Sequence, residues 1–237
     1  MNAPRRRNDP AIYEELAGSW WEPRGSFAML AWIARARAAL VPAPARRGSV
    51  LVDLACGGGL MAPYVAAKGY RHVGVDTSPS ALGTAVAHGL LGVRGDVAAV
   101  PLPDACAAVV CAGEILEHVE NLEGTVAEIC RLLAPGGVVV IDTIADTLRA
   151  RLIAVSLAER IPGGAPRGIH DPALFVDRSA LQTAFARRGV ELSLNGLRPC
   201  LSDALAYLAH RREEVRMLPT RSTAVLFQAV GTKAAPG

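Results

Sequence analysis

Residues 50–60 read VLVDLACGGGL and follow the turn Arg46-Arg47-Gly48-Ser49. An apolar run ending in Asp53 and a small residue, then three consecutive glycines and a return to apolar residues, spells strand, tight loop, helix. Only glycine lets a backbone make that turn and leave its amides uncovered for a ligand. One glycine would serve any strand-to-helix turn. Three directly after a buried strand point to a loop that cradles a small molecule.

Outward from this loop the chain alternates. Strands are predicted at 50–55, 72–76, 91–95, 107–112, 138–143, 190–196 and 224–230, with helices at 60–68, 80–88, 125–133 and 179–188. Pro135-Gly136-Gly137 reads as a stop and turn before the fifth strand. Such alternation is the mark of an α/β fold: a Rossmann-like, doubly wound sheet with helices on both faces, whose ligands sit beyond the carboxyl ends of the strands. Ahead of it, residues 1–45 read as a helical cap, with helices at 12–17 and 27–40 stopped by Pro42 and Pro44. Residues 46–237 form the main domain, with helical inserts near 145–171 and 201–218 after the fifth and sixth strands. Residues 1–10 and 235–237 are expected to be disordered.

Composition narrows the function classes. A hydrophobic fraction of 51% fits a sheet covered on both faces, and an aromatic fraction of 5% makes the core one of Ala, Val and Leu. A formal charge of +3, with no basic stripe carrying interleaved aromatics, argues against nucleic acid. The five cysteines lack CxxC spacing and read as buried thiols of a reducing compartment, neither a disulfide frame nor a zinc site. The first thirty residues hold no secretory signal and no run is long enough to span a bilayer, so a cytoplasmic protein is expected, with peripheral membrane contact as an option.

Asp53, Asp76 and Asp96 stand at or near strand ends, where side chains converge on the ligand crevice. Asp76, in VGVD, closes the second strand, the place where an acid accepts from both ribose hydroxyls; capping the next helix is its plainer role. Asp96, with Val97 beside it in RGDV, would face the exocyclic amine of adenine, or be an ordinary turn aspartate. The dinucleotide fingerprint G-x-G-x-x-G is not met, since Gly57-Gly58-Gly59 is followed by Leu60, Met61 and Ala62. Asp53 would also repel a pyrophosphate, whereas it suits a ligand with an amino group and a positive sulfur, which favours S-adenosylmethionine over a nicotinamide cofactor.

In order along the chain, YEELAGSWW at 13–21, DLACGGGL, GVDTS at 74–78, GEILEHV at 113–119, LLAPGG at 132–137 and RGIHD at 167–171 resemble the O-methyltransferases of ubiquinone biosynthesis. The likeness runs from Tyr13 to Arg188. It implies a seven-stranded class I methyltransferase sheet with a final antiparallel strand, and methylation of a phenol or catechol oxygen on a polyprenylated ring. By position, Arg37, Gly59, Asp76 and Gly113 match the family's cofactor contacts; Asp53 before the glycine loop and Gly57 within it are cofactor-binding candidates on the loop's own chemistry. Ala55 stands where the family usually has glycine, and the chain after Gly196 departs from the pattern.

Methyl transfer from a sulfonium is an in-line displacement in which alignment and exclusion of water do most of the work. The remaining task is to ionise the acceptor. Glu114, Glu117 and His118 fall on one turn after the fourth strand; the resemblance implies that these positions hold a divalent ion such as magnesium in some members, and packing or capping is the alternative. Glu117, His118 and His170, the last beside Asp171, are the candidate bases. Tyr13, Trp20, Trp21 and Asp171 are the candidates for the acceptor side, the aromatics closing over the cofactor or stapling the cap to the core. The expected partner is a small aromatic molecule, lipophilic if the insert at 145–161 lies on a membrane rather than packing as a lid. Methylation of nitrogen or carbon on a soluble molecule, and a non-catalytic cofactor-binding module, are the alternatives.

Overall fold

The computed structural model describes residues 7–157, 166 and 168–235, residues 156 and 157 by backbone alone. Among them eight strands form one sheet: β1 (Val50–Leu54), β2 (Arg71–Asp76), β3 (Leu91–Arg94), β4 (Ala107–Gly113), β5 (Leu133–Ile144), β6 (Val190–Pro199), β7 (Met217–Thr220) and β8 (Leu226–Lys233). Their order is β3-β2-β1-β4-β5-β8-β6-β7. The first five run parallel, and β8 lies antiparallel to both β5 and β6. The inner strands β1 and β4 are buried along almost their whole length, which matches the continuous apolar runs of a parallel sheet covered on both faces.

Eight helices surround the sheet among the described residues: α1 (Ala11–Glu15), α2 (Ala28–Leu40), α3 (Ala62–Lys68), α4 (Pro79–Ala87), α5 (Leu122–Leu132), α6 (Leu148–Ala150), α7 (Arg178–Ala186) and α8 (Leu201–Leu208). Local chemistry sets several of their ends. Ser78, Asn121 and Asp177 accept from the first-turn amides of α4, α5 and α7, and α3 stops at Gly69 with φ +86°. The chain segment before β1 shares a core with the sheet: Trp20, Phe27, Ala34 and Ala38 pack with Leu51, Val109 and Val140. On the opposite face α5 and α7 contribute Val126, Ile129, Leu181 and Phe185.

The structure differs from the sequence-based expectation in four places. An eighth strand, β7, begins where the expected helical insert at 201–218 ends and runs along the edge of β6. It tolerates Pro219 because an edge strand has one side without ladder partners. Ala134–Gly137 do not precede β5 but bulge out of it, between the pairs Ala107 with Leu133 and Val109 with Val138. The helix expected at 145–161 is instead α6 followed by a π-helical stretch, Arg151–Leu157; residues 158–165 and Arg167 lie outside the described residues. Finally, Arg7 and Asn8 are held by specific hydrogen bonds, described below, where a disordered terminus was expected; residues 1–6 and 236–237 lie outside the described residues.

Leu148 is 85% and Leu152 65% exposed on the segment after β5, and Leu201 and Leu205 face solvent on α8. No helix among the described residues is long and apolar enough to cross a membrane. All five cysteines are free.

Because the chain leaves β1 toward β2 on one side while β4 flanks it on the other, a crevice opens at the carboxyl ends of β1 and β4.

Candidate active site

That crevice holds a cavity of about 590 Å³. Its floor is the glycine turn, where Ala55, Gly57 and Gly59 all have positive φ. A β-carbon on Gly57 or Gly58 would come within 2.4 Å of the Trp20 ring, so both positions are bare because an aromatic lid lies on them. Trp20 in turn stacks on Phe27 at 3.9 Å and on Tyr13 at 6.1 Å. Gly59 serves packing: its β-carbon would press on Ala85 of α4, and it does not line the cavity.

Carboxylates rim the cavity. Asp76 at the end of β2 accepts from Gly57 N–H at 2.8 Å and Ser78 N–H at 2.9 Å, tying the glycine turn to the next strand. Burial pushes its carboxyl above the ordinary range despite those bonds. Asp53 is buried beneath, 3.3 Å from His72 Nε2. Asp96 and Val97 line the far end, with Asp96 accepting from Ala98 N–H at 2.8 Å.

The deepest part is an ionic knot. Arg37 of α2 donates to Asp142 of β5 at 2.5 Å and lies against Met61 Sδ at 3.0 Å. Gly113 must be glycine here, because its β-carbon would fall 1.2 Å from Arg37 Nη1. Next to it, Glu114 has φ +52° and a buried Oε1 without a hydrogen-bond partner among the described residues. Burial, with Glu117 adding to it, holds the Glu114 carboxyl well above the usual range. Glu117 is fully buried and accepts from Thr143 Oγ1 at 2.7 Å; burial pushes it up to about 7. Asp142 is pushed up to about 6 by burial, against the pull of Arg37.

His118 lines the cavity above this knot. Its Nδ1 is 2.6 Å from Asn8 Oδ1, and Asn8 Nδ2 donates back to the His118 carbonyl at 3.1 Å. Burial pushes the imidazole down to about 4, so it is neutral at physiological pH. His170 is buried behind it with rings 5.7 Å apart, and burial pushes it down to about 3. The Tyr13 ring meets His118 edge-on at 6.4 Å. Burial and the nearby acids raise the Tyr13 phenol.

Most residues singled out from the sequence converge here: Arg37, Asp53, Gly57, Asp76, Asp96, Val97 and Gly113 on the donor side, and Tyr13, Trp20, Glu114 and His118 on the other. Others face elsewhere. Trp21 donates to the Gly58 carbonyl at 2.9 Å and stacks on His88 at the surface. Asp171 caps the turn Pro172–Leu174 through Ala173 N–H. Glu117 turns under the sheet to Thr143, and His170 packs against Phe175. Among the described residues no three His, Cys, Asp or Glu side chains converge on a point that could hold a metal ion. The expected set Glu114, Glu117 and His118 does not converge here: the single tight turn Leu116–His118 sends the last two to different partners, Thr143 and Asn8. Sequence reading missed Asn8, Asp142 and Thr143, whose roles arise from contacts across the fold.

A methyltransferase domain family model matches residues 52–141. The ubiquinone biosynthesis O-methyltransferase of Burkholderia pseudomallei (strain 1710b) is 34% identical over 189 residues, 76% of this chain and 81% of that protein. The protein of the same name from Azoarcus sp. (strain BH72) is 35% identical over 202 residues, 80% and 86% of the two chains. The chain belongs to the class I S-adenosylmethionine-dependent methyltransferases. A crystal structure from Thermotoga maritima, described as a S-adenosylmethionine-dependent methyltransferase and possible histamine N-methyltransferase, shares the fold with a TM-score of 0.67 at 18% identity, covering 94% of this chain and 99% of that one. The donor of this family fits the methyltransferase's cavity. A lining of Asp53, Asp76 and Glu114, the last with an unpartnered buried oxygen, complements a ligand bearing an ammonium and a sulfonium and opposes a pyrophosphate.

Proposed function

We propose that this methyltransferase methylates a phenol or catechol oxygen of a quinone precursor or related aromatic metabolite. Similarity to two O-methyltransferases over about four-fifths of each chain supports this reading. The observation that carries it is the His118 imidazole on the cavity wall, with Nδ1 beside Asn8 Oδ1 and the other ring nitrogen without a partner among the described residues.

S-adenosylmethionine, when bound, supplies an electrophilic methyl group on a positive sulfur. Asp76 holds the ribose hydroxyls, since a carboxylate has about four lone-pair positions and the amides of Gly57 and Ser78 do not fill them. Asp96 and Val97 take the adenine edge, and Asp53 with the Gly57 turn takes the methionine end. Arg37, pinned across Gly113 to Asp142, fixes the wall between the two ligands. Trp20 and Tyr13 close the cavity to water, which strengthens each polar contact inside it. His118 takes the acceptor's proton. A hydroxyl oxygen that is giving electron density to carbon becomes strongly acidic, so even an imidazole of low basicity can receive it.

A lipophilic tail on the acceptor, presented from a membrane surface, accords with exposed Leu148, Leu152 and Ile153 beside exposed Arg149 and Arg151. Co-flotation of the chain with anionic vesicles tests that contact, and a chain that stays in the aqueous fraction overturns it. The acceptor class is tested with a methyl-labelled donor and a panel of phenols, catechols and amines. Label on a catechol oxygen is expected; label on nitrogen or carbon alone, or none at all, refutes the reading.

A further inference from the structure

Behind Asp53 stands His72, a buried histidine that does not line the cavity. The parallel register of β1 and β2 sets Leu51 beside His72 and Asp53 beside Gly74, so Asp53 and His72 point to the same face one pair apart. Gly74 has no side chain to contribute. The side chains nearest Asp53 on that face of β2 are therefore His72 on one side and Asp76 on the other. Asp76 repels it: burial raises the Asp76 carboxyl, and Asp53 adds to the rise. His72 offers a donor instead. Its Nε2 lies 3.3 Å from Asp53 Oδ2, and a carboxylate only accepts, so Nε2 donates.

That bond leaves Oδ1 over. Oδ1 has no hydrogen-bond partner among the described residues, yet it is not one of the enclosed polar atoms that lack one, so it is open to the cavity that Asp53 lines. On the far side of the imidazole, Nδ1 is buried with no hydrogen-bond partner among the described residues. An unpaired buried nitrogen is a cost that an apolar side chain would avoid, so filling space does not account for a histidine here.

We propose that His72 is a positioning residue for the methyl donor: it pins Oδ2 of Asp53 and so aims Oδ1 at the ammonium of the donor's methionine end. This role rests on Asp53 taking that end of the donor, as proposed above. Both partners lie on inner strands of the sheet, which fixes them firmly. Arg37, the nearby cation, is committed elsewhere, with Nη1 on Asp142 and Nε against Met61 Sδ. A carboxylate held by one oxygen from behind presents the other in a set direction, whereas an unheld one can turn away from its ligand.

The test compares two ligands by calorimetric titration of the full chain: S-adenosylhomocysteine, which carries the amino-acid end, and methylthioadenosine, which keeps the adenosine and the sulfur but lacks that end. His72→Leu removes the hydrogen-bond donor, His72→Asn carries an amide too short to reach Asp53, and His72→Gln places an amide N–H near the position of Nε2. In the first two, affinity for S-adenosylhomocysteine should fall about tenfold while methylthioadenosine binds as in the parent, as expected for a misdirected charge-assisted hydrogen bond. His72→Gln should recover most of the loss. Unaltered binding of methylthioadenosine also shows that a variant is folded. Equal weakening of both ligands, meaning that His72 only packs, overturns the proposal. So does unchanged affinity for both, or a glutamine variant no better than the leucine one. Asp53→Asn tells the two roles apart. A selective loss of S-adenosylhomocysteine there, without one in His72→Leu, overturns the role of His72 alone; a selective loss in neither overturns the placement of the methionine end as well.

Discussion

Replacing Glu117 with glutamine should make the protein more stable in mild alkali and leave it unchanged in mild acid. Glu117 is fully buried, and its side chain accepts the 2.7 Å bond from Thr143 Oγ1. Its other oxygen is buried without a hydrogen-bond partner among the described residues. Burial pushes its carboxyl from 4.5 to about 7. An acid whose pKa is higher folded than unfolded binds more protons in the native state between those two values. Its favourable contribution is therefore complete below about pH 4.5 and is lost as the pH rises through about 7. A change of that size corresponds to about 3 kcal/mol. The glutamine amide keeps an oxygen for Thr143 and carries no charge, so Glu117→Gln should match the parent near pH 4.5 and exceed it by up to about 3 kcal/mol near pH 8.5. Some slope should remain, because Glu114 and Asp142 are raised by burial in the same sense. Urea unfolding followed by tryptophan fluorescence, at constant ionic strength across this range, measures the effect. A variant less stable than the parent near pH 8.5, or one with an unchanged slope, would refute the account of a buried charge.

Gly113→Ala should displace the Arg37 guanidinium from Asp142, since the new methyl would sit 1.2 Å from Nη1. Loss of one side of a buried ion pair costs about 3–5 kcal/mol, readable as a lower denaturant midpoint, and a midpoint equal to the parent's would show that the pair is dispensable. Asp76→Ala should weaken donor binding about tenfold to a hundredfold, as expected for the loss of charged hydrogen bonds to two hydroxyls and of the anchor on Gly57 N–H. Calorimetric titration with the donor or its demethylated product checks this, and equal affinity in the variant would remove Asp76 from the site.

The alternation of strand and helix, the glycine turn, and the three aspartates at strand ends could all be read from residues 50–113, because each depends on chemistry within a few positions. Apolar runs, capping side chains such as Ser78 and Asn121, and positive φ at glycine are local causes with local signatures. The geometry of the expected metal set lay beyond such reading. Spacing placed Glu114, Glu117 and His118 on one turn, but a tight 3₁₀ turn advances about 120° per residue, so Glu117 and His118 diverge to partners on different elements. Edge strand β7 was also illegible, since four residues containing proline become a strand only when β6 offers them an edge.

By itself, then, the sequence determined the fold class and the position of the crevice through patterns that repeat every two or three to four residues, and the methyl-donor family through the glycine loop and the short motifs that resemble that family. Only the tertiary structure decided which groups meet inside the crevice. Arg37 reaches Asp142 across 105 residues, with Gly113 bare beneath it, and Asn8 reaches His118 across 110. Neither pairing leaves a periodic trace, because a contact between distant segments is set by how their elements pack.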